Sequence, residues 1–260
     1  MRKLALIVAF LVALAAGGIA PAAAERLVVS LSNHRVAVTS SFTGADLVLF
    51  GTVEPDQPRT VLRTAYDLVV TVTGPRQTLR TRRKERVLGI WVNIDSREFI
   101  NVPSYLAVLS NRPVAEIANP ETALRLALGL NNIILTQRIG ADFADTVRDD
   151  PYRVAFVNLE SQYGLYRESP TAVTFLTPTV FRVAIPLPAN VPTGNYAIDV
   201  KLLAGGQLVA RTNSALEVIK AGFEQYVADA ARDYGLLYGL VTALMALLTG
   251  WLSSVVFRRD

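Results

Sequence analysis

His34 is the only histidine in the chain, and there is no cysteine. Hydrolysis of the Ser–His–Asp kind would have to run through His34, which stands between Asn33 and Arg35 at the start of a predicted strand. No Gly-x-Ser-x-Gly elbow marks a nucleophile, and a turn or sheet edge accounts for the residue. Zinc needs about three or four protein ligands, mostly His and Cys, so no metal is expected. Glu54, Asp56, Asp142, Asp145, Asp149 and Asp150 do not follow a calcium-loop spacing. A phosphate-binding loop and a dinucleotide fingerprint are both missing. These residues predict a non-enzymatic protein without a cofactor.

The one concentration of charge is basic. Arg76, Arg80, Arg82, Arg83, Lys84 and Arg86 are relieved only by Glu85. The plainest reading is a solvated hairpin tip between two strands. The sharper one is an anion or lipid contact, because guanidinium groups pair with oxyanions and phosphate head groups through two hydrogen bonds. Near a bilayer each basic residue would gain about 1 kcal/mol from anionic lipid.

The elements that would position such residues are mainly β. Short β-branched runs with period-two alternation predict strands near 26–31, 34–39, 46–53, 66–73, 87–94, 97–102 and 104–110. Thr43-Gly44, Glu54-Pro55-Asp56 and Gly74-Pro75 read as turns between them. Seven short strands within 25–115 predict an immunoglobulin-like β-sandwich region, although no Cys–Trp–Cys signature accompanies it. Residues 116–165 read as a helical insert. Asn119-Pro120 and Asp150-Pro151 each put a capping side chain before a proline at the first helical position. Tyr152, Ala155, Phe156, Leu159 and Tyr163 repeat at helical spacing and are expected to face the core, with Gly164 closing the helix.

A second β region is predicted over 166–220, with strands near 171–176, 179–185, 195–203 and 207–218. Tyr196, Ile198, Val200 and Leu202 point one way, and Ala197, Asp199 and Lys201 the other. Tyr196 comes after Pro192-Thr193-Gly194-Asn195 as a tyrosine that pins a strand corner would. Four strands make a thin sandwich, so this region either packs on the helix 151–163 or shares a core with the first half.

The two ends predict export and anchoring. Residues 1–24 read as a signal peptide: Arg2 and Lys3, an apolar run from Leu4 to Ala16, then Ala22-Ala23-Ala24 before Glu25. A juxtamembrane helix is predicted over 221–234, where Phe223, Tyr226, Val227, Ala230 and Tyr234 share a face, running straight into a span. That span, 235–257, holds 23 residues without a charge, and 258–260 forms a basic cytoplasmic tail. At about 1.5 Å per residue it reaches roughly 34 Å, enough for a hydrocarbon core of about 30 Å. Arg258 and Arg259 fit the positive-inside preference. The expected location is therefore the bacterial inner membrane, with the folded part in the periplasm. Of 26 basic residues against 22 acidic ones, Arg2, Lys3, Arg258 and Arg259 belong to these two ends. The basicity is thus mostly a targeting signal and gives no reason to expect nucleic acid as a partner.

Within the span, Gly235, Gly239, Ala243, Ala246 and Gly250 form a small-residue stripe that would let a second helix approach, either another copy or an integral membrane protein. The absence of an ionisable residue argues against conduction.

Four segments carry a family resemblance. They are Ser41 to Gly51 (SFTGADLVLFG), Gly89-Ile90-Trp91-Val92-Asn93, Ile185 to Tyr196 (IPLPANVPTGNY) and the closing Gly250-Trp251 to Phe257-Arg258-Arg259. Together they resemble an alphaproteobacterial transmembrane protein family whose members carry a signal and one C-terminal span. The resemblance implies no catalytic residue. Genes of that family often neighbour permeases of the sulfite-exporter type, which implies such a permease as a partner to test.

Overall fold

The computed structural model describes residues 25–55, 63, 65–139 and 142–256. The predicted signal 1–24, Asp56, Phe257 and the tail 258–260 lie outside the described residues. Alternating apolar residues place the strands in two facing sheets. One sheet has the order β1 (Glu25–Leu31), β3 (Gly44–Pro55), β12 (Val180–Pro188), β11 (Val173–Phe175). The other runs β10 (Tyr166–Ser169), β7 (Leu106–Ser110), β4 (Asp67–Thr73), β13 (Gly194–Ala204), β14 (Gln207–Lys220), β2 (Arg35–Val38). Both sheets mix strands from the two stretches that the sequence separates: β3 pairs with β12, and β4 with β13. Of the two arrangements left open for the later strands, a core shared with the first half is the one observed.

Leu47, Leu49, Val183 and Ile185 of the first sheet meet Leu68, Val70, Val72, Ile198 and Val200 of the second in one buried cluster. Each such side chain contributes about 1.5–3 kcal/mol on leaving water. The second sheet is also covered behind. Val69, Val108 and Leu203 pack there against Ile117 of α1 (Val114–Ile117), Ala123 of α2 (Pro120–Arg125) and Leu128. Both capping residues act as their side chains predict. Asn119 accepts from the Thr122 amide at 2.8 Å. Asp150 accepts from the amides of Tyr152 and Arg153 at 2.8 and 3.1 Å, opening α3 (Pro151–Gln162). Gly164, at φ +73°, closes α3 in the left-handed region, donating to Ser161 while Leu165 donates to Glu160.

The insert is less helical than its composition suggests, since β8 (Thr136–Ile139) and β9 (Asp142–Asp145) lie between α2 and α3. On α3 the expected core stripe is narrow. Phe156 is buried, whereas Leu159 and Tyr163 are exposed, because the helix rests on a narrow ribbon instead of a sheet. Tyr196 does pin its corner, donating to the Pro192 carbonyl at 2.6 Å.

After β14 the chain enters α4 (Phe223–Asp233) and then α5 (Gly235–Val256). The two are not one continuous rod. Tyr234 between them has φ −125° and ψ 42°, outside helical geometry, so the axis breaks just before the apolar stretch.

Across the back of β13, Lys201 lies nearly buried with its ammonium 2.5 Å from Asp199, whose other oxygen takes the Arg211 guanidinium at 2.7 Å. Burial raises the Asp199 carboxyl, but the hydrogen bonds from Arg211 and Lys201 outweigh it and hold the group below its ordinary 3.8. A depressed carboxyl stabilises the fold fully above its unfolded pKa, and that contribution fades as the pH falls through the folded one. Asp199→Ala, which strands the Lys201 charge, is expected to cost about 3 kcal/mol at neutral pH. Denaturant titrations across pH should show the gap to wild type closing below about pH 4.

Candidate membrane-contact site

The basic residues lie on a strand, not in a tip between strands. β5 (Arg76–Val87) and β6 (Ile90–Pro103) form one long hairpin that turns at Leu88-Gly89. The run escapes the alternation rule because β5 is exposed over most of its length on both faces, with Thr81 its one buried side chain. The strands predicted near 87–94 and 97–102 are accordingly the turn and a single continuous β6.

Gly74-Pro75 is not a reversal either. The Gly74 amide donates to Tyr105 and the Ser104 amide to Pro75, at 2.8 and 2.9 Å, so the β4–β7 ladder continues into β5–β6. A Cβ at Gly74 would come within 2.9 Å of Tyr105 Cβ and 3.0 Å of the Tyr196 ring, which leaves room for glycine alone. Proline is tolerated next to it because its carbonyl, not the amide it lacks, makes the ladder bond.

A third sheet, in the order β5-β6-β8-β9, supports the root of this hairpin, and α3 braces it. Phe156 lies 4.9 Å from the ring of Phe99 on β6 and meets Tyr166 edge-on at 5.7 Å. Further out, Tyr152 donates to Asp95 at 2.5 Å and carries the Arg97 guanidinium 5.3 Å above its ring. That hydroxyl, with the Ser96 amide, holds the Asp95 carboxyl below the usual carboxylate range. Arg153 is buried, and its guanidinium donates to the carbonyls of Ile133 and Asn131 at 2.8 and 3.2 Å, fastening α3 to the segment before β8.

Of the predicted contact residues, Arg76 donates to the Asn101 carbonyl at 2.9 Å and Arg80 pairs with Glu98 at 3.2 Å, an acid that Arg138 shares at 3.2 Å. Arg86 caps the turn, donating to Gly89 at 3.2 Å. Arg82, Arg83 and Lys84 extend into solvent. A groove of about 260 Å³ opens between α3 and β5, lined by Leu79, Arg80, Arg82, Leu159, Glu160 and Tyr163. Burial raises the Glu160 carboxyl, so the groove sets one acid beside the guanidinium groups of Arg80 and Arg82.

Beyond the basic residues the hairpin ends in apolar ones. Val87, Leu88, Ile90, Trp91 and Val92 are all exposed, Leu88 completely and Trp91 by 70%. By its alternation alone this stretch reads as an ordinary strand. The signal that sets it apart is six successive residues without a polar side chain, Val87 to Val92, directly after Lys84-Glu85-Arg86.

The remaining candidates stay apart from one another. His34 is exposed in the turn before β2, where its carbonyl accepts the Glu217 amide at 2.9 Å. Among the described residues no group of His, Asp and Glu could hold a metal ion. The 22 residues of α5 have a mean hydropathy of 1.8 in their most apolar window, and none of that window is buried. Added methyl groups at Gly235, Gly239 and Gly250 would meet nothing within 4 Å. Thr242 and Thr249 return their hydroxyls to the carbonyls of Tyr238 and Met245 at 2.9 and 2.8 Å, which satisfies them in an apolar setting.

A β domain followed, among the described residues, by one unburied apolar helix of membrane-crossing length has the layout of a membrane protein with a C-terminal span. The chain belongs to the family described as "Putative transmembrane protein (Alph_Pro_TM)", which matches residues 26–259. No curated protein matches it. Among solved structures it is similar to the N-terminal domain of the Streptococcus gordonii adhesin Sgo0707, at 7% identity and a TM-score of 0.25. That match covers 78% of this chain and 33% of the other, and at this level it bears on neither fold nor function.

Phe156 is the joint between hairpin and helix. Phe156→Ala should cost about 3–5 kcal/mol. Limited proteolysis of the variant should cut between residues 80 and 98 before it cuts the facing sheets; simultaneous cutting of both would show that the hairpin is not separately braced.

Proposed function

We propose that this is a non-enzymatic accessory subunit of an envelope complex, with its β domain in the periplasm, its span in the inner membrane and its C-terminus in the cytoplasm. The observation that carries the reading is a span whose small-residue stripe, Gly235 to Gly250, is covered by no part of the domain. Tyr226 and Tyr234 are exposed just above it. Close helix approach in lipid depends on such small residues. An integral membrane permease of the sulfite-exporter type is the first partner to test, with self-association through the span as the alternative. Purification in mild detergent after crosslinking should recover a second membrane protein, and Gly239→Ile with Ala246→Ile should lose it. Recovery of the monomer alone would reject the reading. Alkaline phosphatase fused after Asp260 should be inactive if the C-terminus is cytoplasmic.

The exposed Arg82, Arg83 and Lys84 favour a second reading, a binding module for an anionic ligand, a lipid head group or a polysaccharide. Replacing Arg80, Arg82, Arg83 and Lys84 with serine should then abolish binding to anionic liposomes, and unchanged binding would exclude the cluster from that role.

A further inference from the structure

The direction of the strands ties the hairpin to the anchor. β4 is antiparallel to β13, and β13 is antiparallel to β14, so β4 and β14 run the same way. Thr73 at the end of β4 is level with Ala215 across Ala197, and β14 stops soon afterwards at Lys220. The hairpin and the stalk helix therefore leave the same end of the same sheet, two strand spacings apart, or about 10 Å. Gly194 confirms the closeness: it pairs with Val218 near the stalk, and a Cβ on it would come within 3.0 Å of Pro75 at the hairpin root.

The lengths agree. The 12 residues of β5 reach up to about 40 Å beyond the sheet. The 11 residues of α4 cover about 16 Å, and Ala221, Gly222 and Tyr234 at its ends bring the separation of sheet from span to at most about 27 Å, still short of the hairpin's reach. A hairpin leaving the end that faces the bilayer is long enough to touch it.

The tip has the composition of an interfacial element. Val87 to Val92 is uncharged and exposed, while between residues 80 and 98 six basic side chains stand against three acidic ones. An apolar end backed by cations is complementary to an anionic bilayer, with the aromatic ring at head-group depth. The turn itself gives a second sign. Leu88 and Gly89 have φ +50° and +89°, a hairpin turn with both central residues in the left-handed region. Asparagine or glycine is at ease there, and leucine is strained. This chain accepts that strain to present a leucine that touches nothing of its own fold, as strained residues at functional sites do.

We propose that the β5–β6 tip, centred on Leu88 and Trp91, inserts shallowly into the anionic leaflet of the same membrane that α5 crosses. The inference rests on the anchored reading above and adds a second point of contact to it.

The two tryptophans of the chain, Trp91 and Trp251, allow the two ideas to be tested separately. The full chain carrying Trp251→Phe, reconstituted into phosphatidylglycerol–phosphatidylcholine vesicles, reports on the tip alone. The Trp91→Phe chain reports on the span alone. Trp91 emission should be blue-shifted, protected from acrylamide and quenched by a spin label placed shallowly in the acyl chain. Leu88→Asn, which suits the turn, should keep or raise the thermal midpoint while losing the shift and the quenching. Arg82→Ser with Arg83→Ser and Lys84→Ser should lose them on anionic vesicles. Trp91 that stays open to acrylamide while Trp251 is quenched by deep labels overturns the proposal and leaves the anchor standing. Trp251 left unquenched removes the anchor itself. Crosslinks in cells from position 88 to a protein, with Trp91 wet on lipid alone, also overturn the proposal and assign the tip to a protein partner.

Discussion

The pairing of β4 with β13 sets the layout of most of this molecule. It joins strands more than a hundred residues apart in sequence, at the centre of a sheet covered on both faces, where a slip of β4 by one residue would turn Val70 and Val72 away from the core they share with β13 and Val69 into it. Once that register is fixed, so are the directions of the neighbouring strands. β14 must finish beside the place where β4 runs out, and the segments that continue from the two strands are delivered to one edge of the domain. From β4 the chain passes into the basic hairpin, and from β14 into the stalk and the span.

The hairpin shows how far such an extension can go before it needs help. A two-stranded ribbon is marginal in water on its own. Its first half is braced by Phe99 on Phe156, by β8 and β9 along one side and by Tyr152 on Asp95 and Arg97. Past the irregularity where Arg83 faces Asp95 and Lys84 faces Asn93, the ladder carries on to the turn with its side chains exposed. Exposed apolar residues stabilise nothing within the chain. Any stabilising contact they make has to be with something else.

The fold was legible wherever one rule dominated. Alternation revealed β1, β3, β4, β12, β13 and β14, capping chemistry revealed the starts of α2 and α3, and Tyr196 announced its own corner. The rules failed where their premise did. β5 is a strand with almost no buried face, so its arginines gave no period-two signal and read as a loop. Gly74-Pro75 had turn composition for a different reason, the crowding of Tyr105 and Tyr196 against the backbone. β8 and β9 are short strands among polar residues, held by the neighbouring hairpin more than by their own pattern. That the early and late strands share both sheets was open in the sequence, because pairing across that distance leaves no local trace. The candidate contact residues were half legible: the arginines stood out by charge, while the apolar tip passed for part of an ordinary strand.

The anchor changes what a contact at the tip has to supply. A span already provides attachment that is effectively irreversible, so a second contact need not add much affinity. Held by the span, the tip meets the bilayer at a high effective concentration, and a weak intrinsic preference is enough to keep it there. Its mechanical effect is of another kind. The helix axis breaks at Tyr234, so a tilt about that residue is not opposed by one continuous helix. A second foot at the hairpin tip, rooted about 10 Å from the base of the stalk, would convert that pivot into a fixed orientation. The face of the domain beside the span would then be presented at a constant height to any partner in the same membrane. On this view the strained leucine, the basic strand behind it and the uncovered small-residue stripe would serve one requirement, that a domain held by a jointed tether meet any partner of the span in a single geometry.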